Sequence, residues 1–293
     1  MNSSFGLTQA LRNLKGVDSY TYATLYNETQ LSDNPSLKES QLGFSPYVRE
    51  MFRTNADPIM FPNVDWNDYI FKNLSWQTQH NLTMSGGGDR FRYFVSLGYL
   101  LQDGMLKQLG ESYDPNYQYK RFNYRSNVDI NLTKSTLLKV NIGGYVGTRR
   151  EPQTDELWRK VMWCTPFSSP GIIDGKLVNS SDETYSDGLK LPFTGGTGMG
   201  YYGNGFSQTS NNSLNVDVIL DQKMDFLTKG LSFKVKGSYN SSFTVNKVGS
   251  GGSIATYTPV LMDDGSIAYR KFGENTDVKY SYTTGKARNW YME

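Results

Sequence analysis

The chain has 293 residues, a net charge of +2 and a mean hydropathy of -0.55. The near-neutral charge gives no electrostatic basis for nucleic-acid binding, and no apolar run approaches the roughly 18 residues of a membrane-spanning helix. Because Cys164 and His80 are the single cysteine and the single histidine, internal disulfides, zinc sites and catalytic triads are excluded. We therefore expect no cofactor and no enzymatic activity.

The N-terminal quarter predicts one strand followed by a helical insertion. Asn2 to Leu11 alternates as a strand does. Helices are predicted behind the capping residue Asp18, near Pro46 to Arg53, and behind the capping residue Asp65. These helices place a helical loop insertion at about residues 18–73, between the first strand and the remaining β structure.

Beyond this insertion the chain alternates apolar and polar residues with a period of two. Arg121 to Leu132 shows the pattern most clearly, with Arg121, Arg125 and Asp129 on its polar side. A period of two places all the apolar groups of a strand on one face and the polar groups on the other. The pattern predicts about ten strands, within residues 2–11, 76–85, 90–101, 121–132, 137–148, 214–223, 231–245, 254–272 and 277–293.

The connections favour a membrane barrel over a soluble sandwich. Three predicted hairpins have turns of about four to six residues, whereas Asp103 to Lys120 and Arg149 to Asn211 are long connections. Outer-membrane barrels combine short turns at one end with long loops at the other, and their strands are longer than those of soluble proteins. We therefore predict an all-β fold, a partial antiparallel transmembrane β-barrel with short helices in its N-terminal loops and long extracellular loops.

The polar face has two interpretations. In a barrel, Arg121, Arg125 and Asp129 face the lumen, where a row of charges is more often a structural ladder than a selectivity filter. In a soluble, secreted β-rich module that binds carbohydrate, the same face is the outer surface. This soluble module remains the alternative function.

Aromatic residues of the long connections are the candidate contacts to a substrate or to a partner that covers the loops. Flat rings stack on sugar faces, but they also pack the interior of loops, and both roles stay open. The candidates are Trp158, Trp163, Tyr185, Tyr201 and Tyr202 in one connection and Tyr113, Tyr117 and Tyr119 in the other.

Several motifs occur in a fixed order along the first half of the chain. They are GVDSYTYATLYNE at 16–28, FPNVDWNDYIFK at 61–72, HNLTMSGG at 80–87 with RYFVSLGY at 92–99 and QDG at 102–104, and YKRFNYRSN at 119–127. Together they resemble the SusC/RagA family of TonB-linked outer-membrane proteins of Bacteroidota. The resemblance is dense from about residue 16 to 150, and beyond that it is weaker and rests mostly on pattern.

The resemblance implies a large barrel in the cell outer membrane, closed by an N-terminal plug, that imports glycans or other oligomeric nutrients. It implies four partners: a SusD-like surface lipoprotein acting as a lid, the TonB complex reached through an N-terminal part, outer-membrane lipid, and an oligosaccharide or peptide substrate. Compared with this family architecture, we expect residues 1–293 to form one partial barrel domain, with the plug and the closing strands absent.

Overall fold

A computed structural model of the chain describes residues 1–10, 15–154, 156–181, 184, 189, 191–192 and 198–293. The α-helices in these residues are α1 (Ser19–Asp33), α2 (Pro46–Thr54), α3 (Trp66–Ile70) and α4 (Leu157–Trp163). The strands are β1 (Asn2–Thr8), β2 (Ser75–Gly87), β3 (Phe91–Asp103), β4 (Gln118–Asn131), β5 (Thr136–Pro152), β6 (Gly171–Ile173), β7 (Lys176–Val178), β8 (Phe206–Lys223), β9 (Ser232–Ser250), β10 (Thr256–Leu261), β11 (Ile267–Phe272) and β12 (Lys279–Met292).

Long antiparallel strands form the main sheet. Its order is β1-β2-β3-β4-β5-β8-β9-β12, so each strand pairs with the next long strand along the chain. The hairpins turn at residues 88–90, 132–135 and 224–231, all at one end of the sheet. The other connections span residues 9–74, 104–117, 153–205 and 251–278, and each joins strand ends at the opposite end of the sheet. The predicted rhythm of short and long connections is confirmed.

The register across the sheet aligns the alternating residues of neighbouring strands into rows. Val128 pairs with Tyr93 on one side and with Val140 on the other, and Val140 pairs with Val218. One residue along, Asn127 pairs with Phe94 and Asn141. One face of the sheet is therefore mainly apolar, which we call the apolar face, and the other carries most of the amides and charges, which we call the polar face.

The all-β prediction is confirmed, and the main sheet is open. β1 and β12 are its edge strands and do not pair with each other. The remaining strands form a separate sheet in the order β11-β10-β7-β6. Within it β10 runs parallel to β7, with Thr256 opposite Leu177, so two of the long connections are joined by a short ladder.

The predicted helices form where capping side chains satisfy the free amides of the first turn. Asp18 Oδ1 accepts a hydrogen bond from the Thr21 amide at 2.7 Å, and Asp65 Oδ1 accepts one from the Asn67 amide at 3.0 Å. Ser45 Oγ accepts from the Val48 amide at 3.3 Å at the start of α2. None of the helices in the described residues is long and apolar enough to cross a membrane.

The buried core lies in the long connections. One cluster joins α1, α2 and the segments that follow them, and includes Ala23, Phe44, Val48, Phe52 and Phe167. A second joins α3, α4 and neighbouring loops, and includes Trp66, Ile70, Leu106, Val161 and Tyr201. Among the described residues of the main sheet, Phe206 alone belongs to the buried apolar set. The connections thus form a packed layer over one end of the sheet, here called the loop layer.

Candidate ligand-binding pocket

A pocket of about 590 Å³ lies where β2 to β5 meet the loop layer. We call it the rim pocket. Strand ends supply one wall and the loop layer supplies the other. Its main lining side chains are Phe71, Gln102, Tyr117, Tyr119, Arg149 and Trp158.

The strand wall is a row of polar-face residues in register. Gln102 pairs with Tyr119, and Tyr119 pairs with Arg149. Tyr117 continues the row two residues further along, just before β4 begins. Arg149 Nη2 lies 2.9 Å from Glu151 Oε2, and its side chain stays largely exposed. The wall therefore offers two phenol rings, an amide and a guanidinium to the same space.

The loop wall is built on a stacked pair of aromatic rings. Phe71 and Trp158 lie 4.2 Å apart with an interplanar angle of 10°. Phe71 is buried and held by a β-bridge to Leu106, whereas Trp158 is 56% exposed. Because Phe71 supports one side of the indole, the rest of the indole remains open to the pocket.

Polar contacts fix the connection between β3 and β4 at the base of the pocket. Lys72 Nζ lies 2.9 Å from Asp103 Oδ2, and Asn116 Nδ2 donates to Asp103 Oδ1 at 3.0 Å. Asn116 Oδ1 in turn accepts from the Leu106 amide at 3.0 Å. At Gly104 a side chain would meet the Tyr117 carbonyl oxygen at 2.3 Å, so this close approach requires glycine.

The combination of exposed aromatic rings, an amide and a guanidinium in the rim pocket suits a neutral or polar oligomer better than a reactive small molecule. Exposed aromatic surface binds the C–H faces of sugars or apolar peptide side chains. The side-chain amide of Gln102 and the guanidinium of Arg149 can donate to hydroxyl, carbonyl or carboxylate oxygens. Sugars and peptides can each use both kinds of contact, so the pocket chemistry fits either substrate.

The other candidate aromatics occupy different positions. Tyr201 is fully buried, which favours the packing role over ligand contact. Tyr202 is half-buried with its hydroxyl donating to the Leu109 carbonyl at 3.4 Å, and the Tyr113 hydroxyl accepts from the Gly205 amide at 2.7 Å. Trp163 is 73% exposed on α4 but does not line the rim pocket. Tyr185 lies outside the described residues.

Burial also shifts the pKa values of three ionisable groups in the loop layer. Burial raises the pKa of the Glu111 carboxyl, although its Oε2 accepts from the Leu109 amide at 3.0 Å. Burial likewise raises the pKa of the Tyr201 hydroxyl, and it raises that of the Cys164 thiol to about 11. The thiol is therefore protonated at neutral pH and a poor nucleophile.

Arg121, Arg125 and Asp129 share the polar face deeper in the sheet. The Arg121 guanidinium lies 4.3 Å from the centroid of the Tyr145 ring, and its Nε donates to Asn123 Oδ1 at 2.8 Å. Arg125 borders a second hollow of about 340 Å³ over Gly143. Asp129 pairs in register with Lys139. Arg121 is thus held by neighbouring side chains of the polar face.

The structure adds Phe71, Gln102 and Arg149 to the sequence-predicted candidates. Gln102 and Arg149 occupy the alternating strand positions whose side chains lie on the polar face. The alternation of the sequence alone could therefore have assigned both residues to that face. Phe71 carries no such signal, because its role depends on a contact with Trp158, which lies 87 positions further along the chain.

Comparison with known proteins gives one sequence match and a set of structural matches. The chain is 33% identical over 87 residues to TonB-dependent receptor P3 of Formosa agariphila. That aligned region is 30% of this chain and 8% of the receptor. No family model matches the chain.

The fold resembles structures of the RagAB peptide transporter. One, with a TM-score of 0.56 and 17% identity, covers 86% of this chain and 28% of the neighbour. The RagAB peptide importer in its open-open state gives a TM-score of 0.56 at 18% identity, and the match covers the same fractions of the two chains. The chain thus spans under a third of these proteins, and the matches confirm its resemblance to the SusC/RagA family of TonB-linked outer-membrane proteins.

Proposed function

We propose that this SusC/RagA-like chain is part of the wall of an outer-membrane transporter that imports oligomeric nutrients, either glycans or peptides. In this proposal the main sheet belongs to a transmembrane β-barrel. Its apolar face meets lipid, and its polar face, with Arg121, Arg125 and Asp129, lines the lumen. The loop layer faces outside the cell beneath a SusD-like lipoprotein, and a TonB complex supplies the energy.

The observation that carries the proposal is the uncovered apolar face. Ile142, Val146 and Val218 are each more than a third exposed, although they lie well inside long strands. A soluble sandwich buries such a face against a second sheet, and exposed apolar patches of this kind mark membrane or protein contacts. Neither of the two buried clusters of the described residues includes these three side chains, because both clusters lie in the loop layer.

The first test is the partition of the full chain between buffer and detergent. We expect the chain to remain in solution only with micelles or lipid vesicles, because its apolar face needs an apolar environment. Centrifugation after removal of detergent measures this directly. A monodisperse chain in plain buffer would overturn the proposal and favour the soluble carbohydrate-binding module.

The rim pocket is the proposed substrate contact, and Trp158→Ala tests it. We expect binding of a mixed oligosaccharide or oligopeptide panel to weaken by about 5- to 10-fold, since a lost aromatic contact is worth about 1 kcal/mol. Isothermal titration calorimetry of the detergent-solubilised chain measures the loss and shows which class of substrate binds.

Trp163→Ala is the matched control, since it removes a second exposed indole from α4 outside the pocket. It should leave the affinity unchanged. If the two variants lose the same affinity, the proposal that the substrate contacts the rim pocket is wrong. The loss would then be explained by a change at the surface of α4.

A further inference from the structure

The turn between β8 and β9 differs from the other short turns in presenting apolar side chains at its tip. Phe226 is 76% exposed and Leu227 is 62% exposed. The turn between β2 and β3, in contrast, consists of Gly88, Asp89 and Arg90. Exposed aromatic and aliphatic side chains at a turn tip cost solubility unless something covers them.

The turn at residues 224–231, here called the apolar turn, has a defined conformation. The Met224 amide donates to the Leu231 carbonyl at 2.8 Å, and the Leu227 amide donates to the Met224 carbonyl at 2.9 Å. Asp225 Oδ1 accepts from the Gly230 amide at 2.8 Å. Phe226 and Leu227 therefore project from a hydrogen-bonded turn.

Exposed apolar residues of the sheet continue from the apolar turn. Leu231 is the last residue of the apolar turn and Phe233 lies on the apolar face at the start of β9, and both are exposed. Leu132 is exposed in the neighbouring turn between β4 and β5. The apolar turn is thus contiguous with the face that meets lipid in the proposed function.

Basic side chains lie in or beside the apolar turn and the other short turns at this end of the sheet. Arg90, Lys134, Lys223 and Lys229 are all exposed in or beside the short turns. Within the described residues none of the four takes part in an ion pair. Two carboxylates share these turns, Asp89 and Asp225, and Asp225 already accepts a hydrogen bond within its own turn. The excess of cations is free to meet anionic groups.

We propose that the apolar turn anchors the sheet in the lipid leaflet at its short-turn end. Phe226 and Leu227 enter the boundary between headgroups and acyl chains, and Lys223 and Lys229 contact lipid phosphates. Apolar side chains flanked by lysine and arginine are the pattern that binds this boundary. The inference rests on the proposed membrane function, and it commits to membrane lipid as the occupant because the charges complement phosphate.

Depth-dependent fluorescence quenching tests the anchor in the full chain. Cys164→Ser removes the native thiol, and Leu227→Cys then carries a bimane probe while Phe226 is retained. The labelled chain is folded into vesicles of zwitterionic and anionic phospholipid that contain nitroxides at shallow or deep positions. We expect the shallow nitroxide to quench this probe most strongly. Phe226→Ser should reduce that quenching.

Two further probes separate failure of the anchor from failure of the membrane function. Val140→Cys reports the middle of the apolar face and should be quenched by the deep nitroxide, whereas Asp89→Cys reports a polar turn and should escape both. If the probe at Leu227→Cys is as unquenched as the probe at Asp89→Cys while the probe at Val140→Cys is quenched, the lipid anchor is overturned but the membrane function is not. In that case a protein partner is left as the occupant of the apolar turn. An unquenched Val140 overturns the membrane function and the anchor with it.

Discussion

Replacing Val128 with arginine is expected to destabilise the chain folded in a bilayer by about 2–4 kcal/mol, the cost of a cation on the lipid face near the midplane. Val128 lies on the apolar face of β4, in a row between Tyr93 and Val140. The arginine must either enter hydrocarbon or distort the strand to reach water. A denaturant titration of the chain folded into lipid vesicles measures the loss.

Asn127→Arg is the matched control, because it places the same side chain one residue away on the opposite face. Asn127 faces Asn141 across the strands and borders the hollow over Gly143. Its arginine would reach water, so we expect a mild change in folding free energy. Equal losses for the two variants would contradict the assignment of the apolar face to lipid.

The main sheet could be predicted because strand alternation is a local signal. The alternation of Arg121 to Leu132 and of its neighbours requires no knowledge of distant contacts, since parity alone assigns each residue to a face. The pairing of Phe122 with Val146 then follows from a short turn between adjacent strands. The start of β8 at Phe206 was missed, because the predicted long connection extended to Asn211.

The loop layer could be predicted only in part. The caps Asp18 and Asp65 are local, and their helices were found. Burial of Tyr201 and the stack of Phe71 on Trp158 depend on segments brought together by the fold. A tyrosine in a glycine-rich loop has the same local sequence signal whether it packs or binds, so only the structure separates Tyr201 from Tyr117.

The small sheet shows the same limit. The two strands between Ile254 and Phe272 were predicted, but the parallel pairing of β10 with β7 joins segments about 80 residues apart. No pattern within either segment specifies the other. The rim pocket therefore became visible only through the fold, although alternation could have indicated Gln102 and Arg149 as polar-face residues.

Phe44→Ala is expected to destabilise the loop layer by about 3–5 kcal/mol, the usual cost of removing a buried phenylalanine. Phe44 is fully buried, and the rings of Tyr26 and Phe167 lie edge-on to it, each with its centroid 5.4 Å away. Its backbone is also held by Asn27, whose Nδ2 donates to the Phe44 carbonyl at 2.6 Å. Hydrogen exchange of the amides in α1 and α2 measures the local free energy of opening.

The matched control is Leu25→Ala, which shortens a half-exposed leucine of α1. We expect this change to cost no more than about 0.5 kcal/mol. Because few main-sheet residues contribute to the buried core, exchange in β3 to β5 should stay near that of the unmodified chain in the Phe44→Ala variant. Faster exchange throughout these strands would mean that the loop layer and the sheet unfold as one unit, contrary to a separate core.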